Sequence, residues 1–153
     1  MGLRKFILVI LLCVFSASVE AKDEGAFFDL SDEYVLSTIQ KIRPILYKLK
    51  ISATEFVGEE TSDELADPLI TPEEVERVLV RGIISATVEW CHLGWKKNSF
   101  SPFMAENRRS GKTAKQMAYI GALHGFGMNV MKKKYSEGEC KKVHRDKIKS
   151  YLY

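Results

Sequence analysis

From Lys115 to Lys134 the chain reads KQMAYIGALHGFGMNVMKKK, a helical pattern with Gly121, Gly125 and Gly127 inside it. Thr113 and Gln116 stand in front as a capping box, and no proline interrupts the run. Each interior glycine opposes a helix by roughly 1 kcal/mol relative to alanine, so the three together oppose this one by about 3 kcal/mol. Such a helix persists only where packing offsets that cost. Ala118, Gly121, Ala122 and Gly125 recur at three- and four-residue steps and form a flat strip along one side. Gly82 and Ala86 offer a smaller matching strip on an earlier segment. The expectation is two helices packed with their backbones close along these residues. His124 falls on the other, bulkier stripe with Met117, Ile120, Met128 and Met131, which predicts a core histidine.

The remaining segments also carry helical signals. Ser31 is placed to cap a helix whose apolar stripe is Val35, Ile39, Ile42, Leu46 and Leu49, with Pro44 expected to kink or split it. Residues 51–70 show no clear period and read as a loop with one short turn. Thr71, Pro72 and Glu74 then combine a capping box with a proline at the first helical position. The helix they open has Val75, Leu79, Ile83, Ala86, Trp90 and Leu93 on one face, and Gly94 as its expected stop. Ser101-Pro102 starts a short helix, and Val143, Lys147, Ile148 and Tyr151 are spaced for a terminal one. With no β-alternating segment and no repeat, the predicted class is all-α, a small domain of four or five helices.

The chain opens MGLRKFILVILLCVFSASVEA. Arg4 and Lys5, the ten apolar residues Phe6 to Phe15, and Val19 and Ala21 at a cleavage site have the form of a secretory signal peptide. The expected organisation is a cleaved signal at 1–21 and one helical domain at 22–153, exported to the periplasm or secreted. Cys91 and Cys140 are the two cysteines left after cleavage, and an oxidising compartment favours pairing them. That bond constrains topology. A helix over residues 114–134 spans about 31 Å. The six steps from Lys134 to Cys140 reach at most about 20 Å. Were this helix an antiparallel neighbour of the one ending near Leu93, the bond could not close. Either the helix breaks at Gly125-Phe126-Gly127, or the chain crosses over between Gly94 and Thr113 and brings both carboxyl ends to one side.

Charge is unevenly divided. Residues 22–74 hold 5 basic against 13 acidic side chains, whereas residues 75–153 hold 16 basic against 6 acidic. Two readings stand side by side: the acidic half docks on the basic half, or the basic end meets an anionic partner. The candidate interaction surface is Trp90 and Trp95 together with Lys132, Lys133, Lys134, Lys141, Lys142 and Arg145, which the crossover would gather at one end. The sequence holds no phosphate loop and no nucleophile motif. Glu89 and His92 make a single Glu-x-x-His step where a di-iron bundle uses two copies, so no metal and no cofactor are expected.

In size, export signal, helical content and a single disulfide, the plan resembles several kinds of small exported bacterial helical proteins. Immunity proteins that block cell-wall hydrolases and acid-stress chaperones are two of them. The resemblance transfers no residues. It implies a binding protein, with a protein-interaction or inhibitor module as the leading expectation. A surface-associated structural protein using the basic end and an enzyme are the alternatives. The expected partner is a protein of the cell envelope or an anionic membrane surface, and nucleic acid is not expected.

Overall fold

A computed structural model describes residues 30–135 and 138–153. The signal peptide expected at residues 1–21 lies outside these residues. Six helices follow one another: α1 (Asp32–Leu46), α2 (Ser62–Ala66), α3 (Pro72–Trp90), α4 (Ser101–Arg109), α5 (Ala114–Tyr135) and α6 (Lys142–Lys149). A π-helical turn, Lys96–Phe100, leads directly into α4. The described residues are all-α, with one helix more than the upper expectation. The addition is α2, whose own capping box, Thr61 with Glu64, sits within the stretch read as loop. The described residues contain no strand, only an isolated bridge between Lys50 and Phe56. No described helix is long and apolar enough to cross a membrane.

The local chemistry of the helix starts follows the sequence. The Ser31 hydroxyl accepts from the Tyr34 amide, and the Thr71 hydroxyl from that of Glu74. Ahead of α5, the Thr113 hydroxyl accepts from the Gln116 amide while the Gln116 side chain accepts from the Thr113 amide. Pro44 does not split α1. It sits in the last turn, and the helix ends two residues after it, so little of the hydrogen-bond ladder is lost. The stop of α3 comes before Gly94. His92 takes the left-handed conformation at φ 56°, and the Leu93 amide returns to the Val88 carbonyl.

α3 is the axis of the fold. Every residue from Val78 to Val88 is buried, so its whole circumference is covered rather than one stripe. Val75, Val78 and Leu79 meet α1 through Val35, Ile42 and Leu46, and α5 through Ile120 and Leu123. Ile83 and Ala86 pack on Met128 and Met131. Val80, Ile84 and Val88 receive Ile148, Tyr151 and Leu152 from the carboxyl-terminal segment.

α3 and α5 run in the same direction. Lys112, just ahead of α5, pairs with Glu74 in the first turn of α3. At the far end, Trp90 stacks on Tyr135 with ring centroids 4.4 Å apart. The turn at His92 and Gly94, the π-helical turn and α4 carry the chain back between them. The crossover thus takes the place of a helix break, and α5 remains continuous through Gly125, Phe126 and Gly127. With the carboxyl ends together, Cys91 and Cys140 are disulfide-bonded at a Cα–Cα distance of 5.1 Å. The bond closes a span of 49 residues. In the chain-entropy account such a loop contributes about 4 kcal/mol. Reduction is expected to lower the unfolding free energy by about that amount, read from urea midpoints with and without reductant. Alkylation in denaturant should add mass only after reduction.

The close approach of α3 and α5 corrects the expected glycine strip. It is made by Gly82 and Gly127. A Cβ on Gly82 would lie closer than 3.0 Å to the His124 carbonyl oxygen and 2.9 Å from the Gly127 Cα. One on Gly127 would lie closer than 3.0 Å to the Leu79 carbonyl oxygen. Ala86 is buried beside this crossing. Gly121 and Gly125 are not part of it, and Ala118 and Ala122 on their side are only half-buried. A Cβ on Gly121 would make ordinary contact with Met104 at 3.8 Å, and one on Gly125 would meet nothing within 4 Å. Gly125→Ala is therefore expected to stabilise the protein by about 0.5–1 kcal/mol, through helix propensity and a less flexible unfolded chain. A denaturant titration against the parent protein checks it.

Candidate functional site

The basic end of the molecule is built around α6. The helix and the residue that precedes it, 141–149, read KKVHRDKIK, five cations with one carboxylate. The Asp146 carboxylate pairs with Lys142 and with Lys149, and the hydrogen bond from Lys142 holds its pKa below the usual carboxylate range. Lys141 and Arg145 have no acidic partner among the described residues. Only Ile148 of the helix is buried. Val143, expected on its packed stripe, points the other way and is 67 % exposed. The helix is short and polar, and on its own would be marginal. It is held at both ends: Cys140 bonds to Cys91 before it, and Tyr151 and Leu152 pack on α3 after it.

Trp90 joins this end. Besides stacking on Tyr135, it donates from Nε1 to the Gly138 carbonyl at 2.7 Å, and its ring lies 5.4 Å from that of His144. The disulfide and these contacts of Trp90 place the start of α6, which carries Lys141, Lys142 and Arg145, at the carboxyl end of α3. Lys132 is exposed on the last turns of α5. The side chains of Lys133 and Lys134 lie outside the described set. Trp95 is turned inward, though it packs against the same cluster of Val80, Cys91 and Ile148 as Trp90 and Cys140. It packs half-buried against Phe100, 5.8 Å away, and His124, 6.5 Å away, because the left-handed turn after α3 directs the chain back over α5.

That inner corner holds a polar chain. The Ser85 hydroxyl lies 2.9 Å from His124 Nε2 and 2.7 Å from the Ser99 hydroxyl. Phe100 and Phe103 close over the imidazole at 4.8 and 6.0 Å. Burial, and then the charge of Arg81, lower the His124 pKa to about 4, so the ring is neutral at pH 7. The Ser85–His124 distance is that of a nucleophile and its base. Yet Ser85 is 0 % and His124 1 % exposed, so no substrate reaches either. The pair acts as a hydrogen bond that satisfies buried polar groups at the crossing of α3, the π-helical turn and α5.

Arg81, in the middle of α3, is a buried cation that the sequence reading passed over. Its Nη1 donates to the Tyr151 carbonyl at 2.8 Å, and its guanidinium lies 4.0 Å from the centre of the Tyr153 ring. The Tyr153 hydroxyl donates to Glu106 at 2.7 Å, and its amide to the Asn98 carbonyl. A charge inside an otherwise apolar run was the available signal. Such a charge needs partners, and here the carboxyl-terminal segment supplies them. Tyr153→Ala is expected to cost about 1–2 kcal/mol through the lost cation–π contact, measured by thermal unfolding.

The division of charge is only partly neutralised within the molecule. Lys112 pairs with Glu74 and Lys115 with Glu64, each joining the basic part of the chain to the acidic part. Both pairs lie near the start of α3 and α5, away from α6. Glu89 and His92 are both exposed, and His92 sits beyond the end of the helix. Among the described residues no group of three histidine, cysteine, aspartate or glutamate side chains is placed to hold a metal ion.

Family models, curated proteins and solved structures contain no match to this chain.

Proposed function

We propose that this is a small exported α-helical binding protein, a protein-interaction or inhibitor module whose partner contact is the basic end formed by α6 and Trp90. The observation that carries the reading is the mounting of α6. A helix with five cations in and just before it, and only one buried side chain, is pinned at its start by a disulfide and at its end by packing on α3. A surface fixed in advance loses less entropy on binding. Concentrated positive charge speeds encounter with an anionic partner. The apolar run before residue 21 supports export, and the disulfide agrees with an oxidising compartment.

The test uses the purified oxidised protein, immobilised and exposed to envelope extract. The wild-type protein should capture one stoichiometric protein, and the Lys141→Glu/Lys142→Glu/Arg145→Glu variant should not. Equal capture by both, or capture of nothing, overturns the reading.

A second reading has one specific support. Val143 projects from among the cations of α6, with Trp90 nearby, and apolar and aromatic groups among lysines suit an anionic lipid surface. In that case the protein co-sediments with vesicles containing anionic lipid, and high salt releases it.

A further inference from the structure

The partner of the basic end has a counterpart in the same chain. The first turns of α1 and α3 enclose an open cleft of about 240 Å³, lined by Asp32, Val35, Leu36, Pro72, Glu73 and Glu76. Its floor is apolar, and Leu36 remains 51 % exposed. Its rim is acidic. No cation among the described residues lies in ion-pair range of Asp32, Glu73 or Glu76. The Lys141, Lys142 and Val143 end of α6 is the converse, an exposed apolar knob flanked by cations.

The two surfaces cannot meet within one molecule. Pro72 opens α3 and Cys91, which anchors α6, closes it, so the intervening helix keeps them about 28 Å apart. That exceeds a Debye length at physiological ionic strength, about 8 Å, so neither end relieves the other. Two copies lying antiparallel, or placed head to tail, bring them together.

We infer that the basic amino-terminal end of α6 docks in the acidic α1–α3 cleft of a second copy of this chain, with Val143 entering beside Leu36. This rests on the reading of α6 as the binding surface and names the partner as the protein itself. An antiparallel pair closes two such contacts at once. A head-to-tail arrangement makes one per copy and leaves the chain open to extension.

Sedimentation velocity of the purified oxidised protein, over a concentration series at low and at high salt, decides the matter. The expected result is association in low salt that reverts to monomer in high salt. Glu73→Lys/Glu76→Lys and Lys141→Glu/Lys142→Glu should each be monomeric alone. Mixed in equal amounts they should associate again, because each then offers the charge the other lacks. Circular dichroism melting confirms that both variants fold; should the Glu73→Lys/Glu76→Lys protein fail that check, Glu73→Gln/Glu76→Gln takes its place. With that pair the expected result is weakened self-association alone, and restored binding when mixed with wild type. A wild-type protein that stays monomeric at every concentration in low salt overturns the inference. So does association that either charge change leaves undiminished. Capture of a different envelope protein by α6, with no self-association, would leave the binding role standing and remove this partner.

Discussion

Gly82→Ala is expected to destabilise the protein by about 3 kcal/mol, and Gly127→Ala by a similar amount, although alanine is the better helix former at both positions. The added methyl group at either site meets backbone of the facing helix, a carbonyl oxygen in each case, closer than 3.0 Å. A flexible side chain could turn aside, but a carbonyl held in a helical hydrogen bond cannot. The two helices must then separate over a length that also carries Ile83, Ala86, Met128 and Met131. Gly125→Ala is the internal control. It lies on the same helix, two residues from Gly127, and should move stability the opposite way. Urea unfolding of the three single variants tests the set. A loss at Gly125 comparable with that at Gly127 would show that the crossing is not where the structure puts it.

Acidification should weaken the fold through His124. A histidine whose folded-state pKa lies at about 4, against an ordinary value of 6.5, binds its proton more readily once unfolded. Its contribution to stability is complete above pH 6.5 and is lost as pH falls from 6.5 towards 4. That gap corresponds to roughly 3 kcal/mol. No carboxylate among the described residues pairs with the ring. α3 presents Ser85 and the cation of Arg81, the π-helical turn Ser99 and Phe100, and α4 Phe103. The check is unfolding free energy measured at intervals between pH 7 and pH 4, for the wild-type protein and for His124→Gln. The variant retains a side chain that can bond to Ser85 but does not titrate, so its curve should fall less steeply. Parallel curves would rule out His124 as the source of acid sensitivity.

The sequence was most legible where a local interaction decides the outcome. Thr71, Pro72 and Glu74, and likewise Thr113 and Gln116, announce helix starts through hydrogen bonds made within four residues. Thr61 and Glu64 carry the same signal, but residues 51–70 lack an apolar period, because a five-residue helix has no face to repeat. The disulfide and the crossover were also legible, since helix length and chain reach leave few arrangements that close the bond. The glycines divide instructively. Spacing alone favours Gly121 and Gly125 over Gly127, because they continue the three- and four-residue steps from Ala118. Which side of α5 meets α3 is settled by tertiary packing, and Gly82 faces Gly127. The inward turn of Trp95 is hidden in the sequence for a similar reason. The left-handed turn falls at His92, where a side chain makes it unexpected, and that turn directs the next residues inward. Arg81 shows a different kind of limit. A charge in an apolar run announces that partners exist, but the ring and carbonyl that serve it lie about seventy residues on.

The same-direction pairing of α3 and α5 also bears on how the chain reaches this state. In an up-and-down bundle each helix meets the next in sequence, and a short loop brings the first contacts together. Here the contacts that define the centre join Leu79 and Gly82 to Gly127 and Ser85 to His124, which lie 39 residues apart in that last pair. The entropy of closing so long a loop falls due before those contacts form, so folding should be slow for an all-helical domain of this size. Cys91 and Cys140 come within bonding distance only when α5 has docked along α3. Oxidation thus fixes the crossing after it forms, and an oxidant acting earlier would find the two thiols apart.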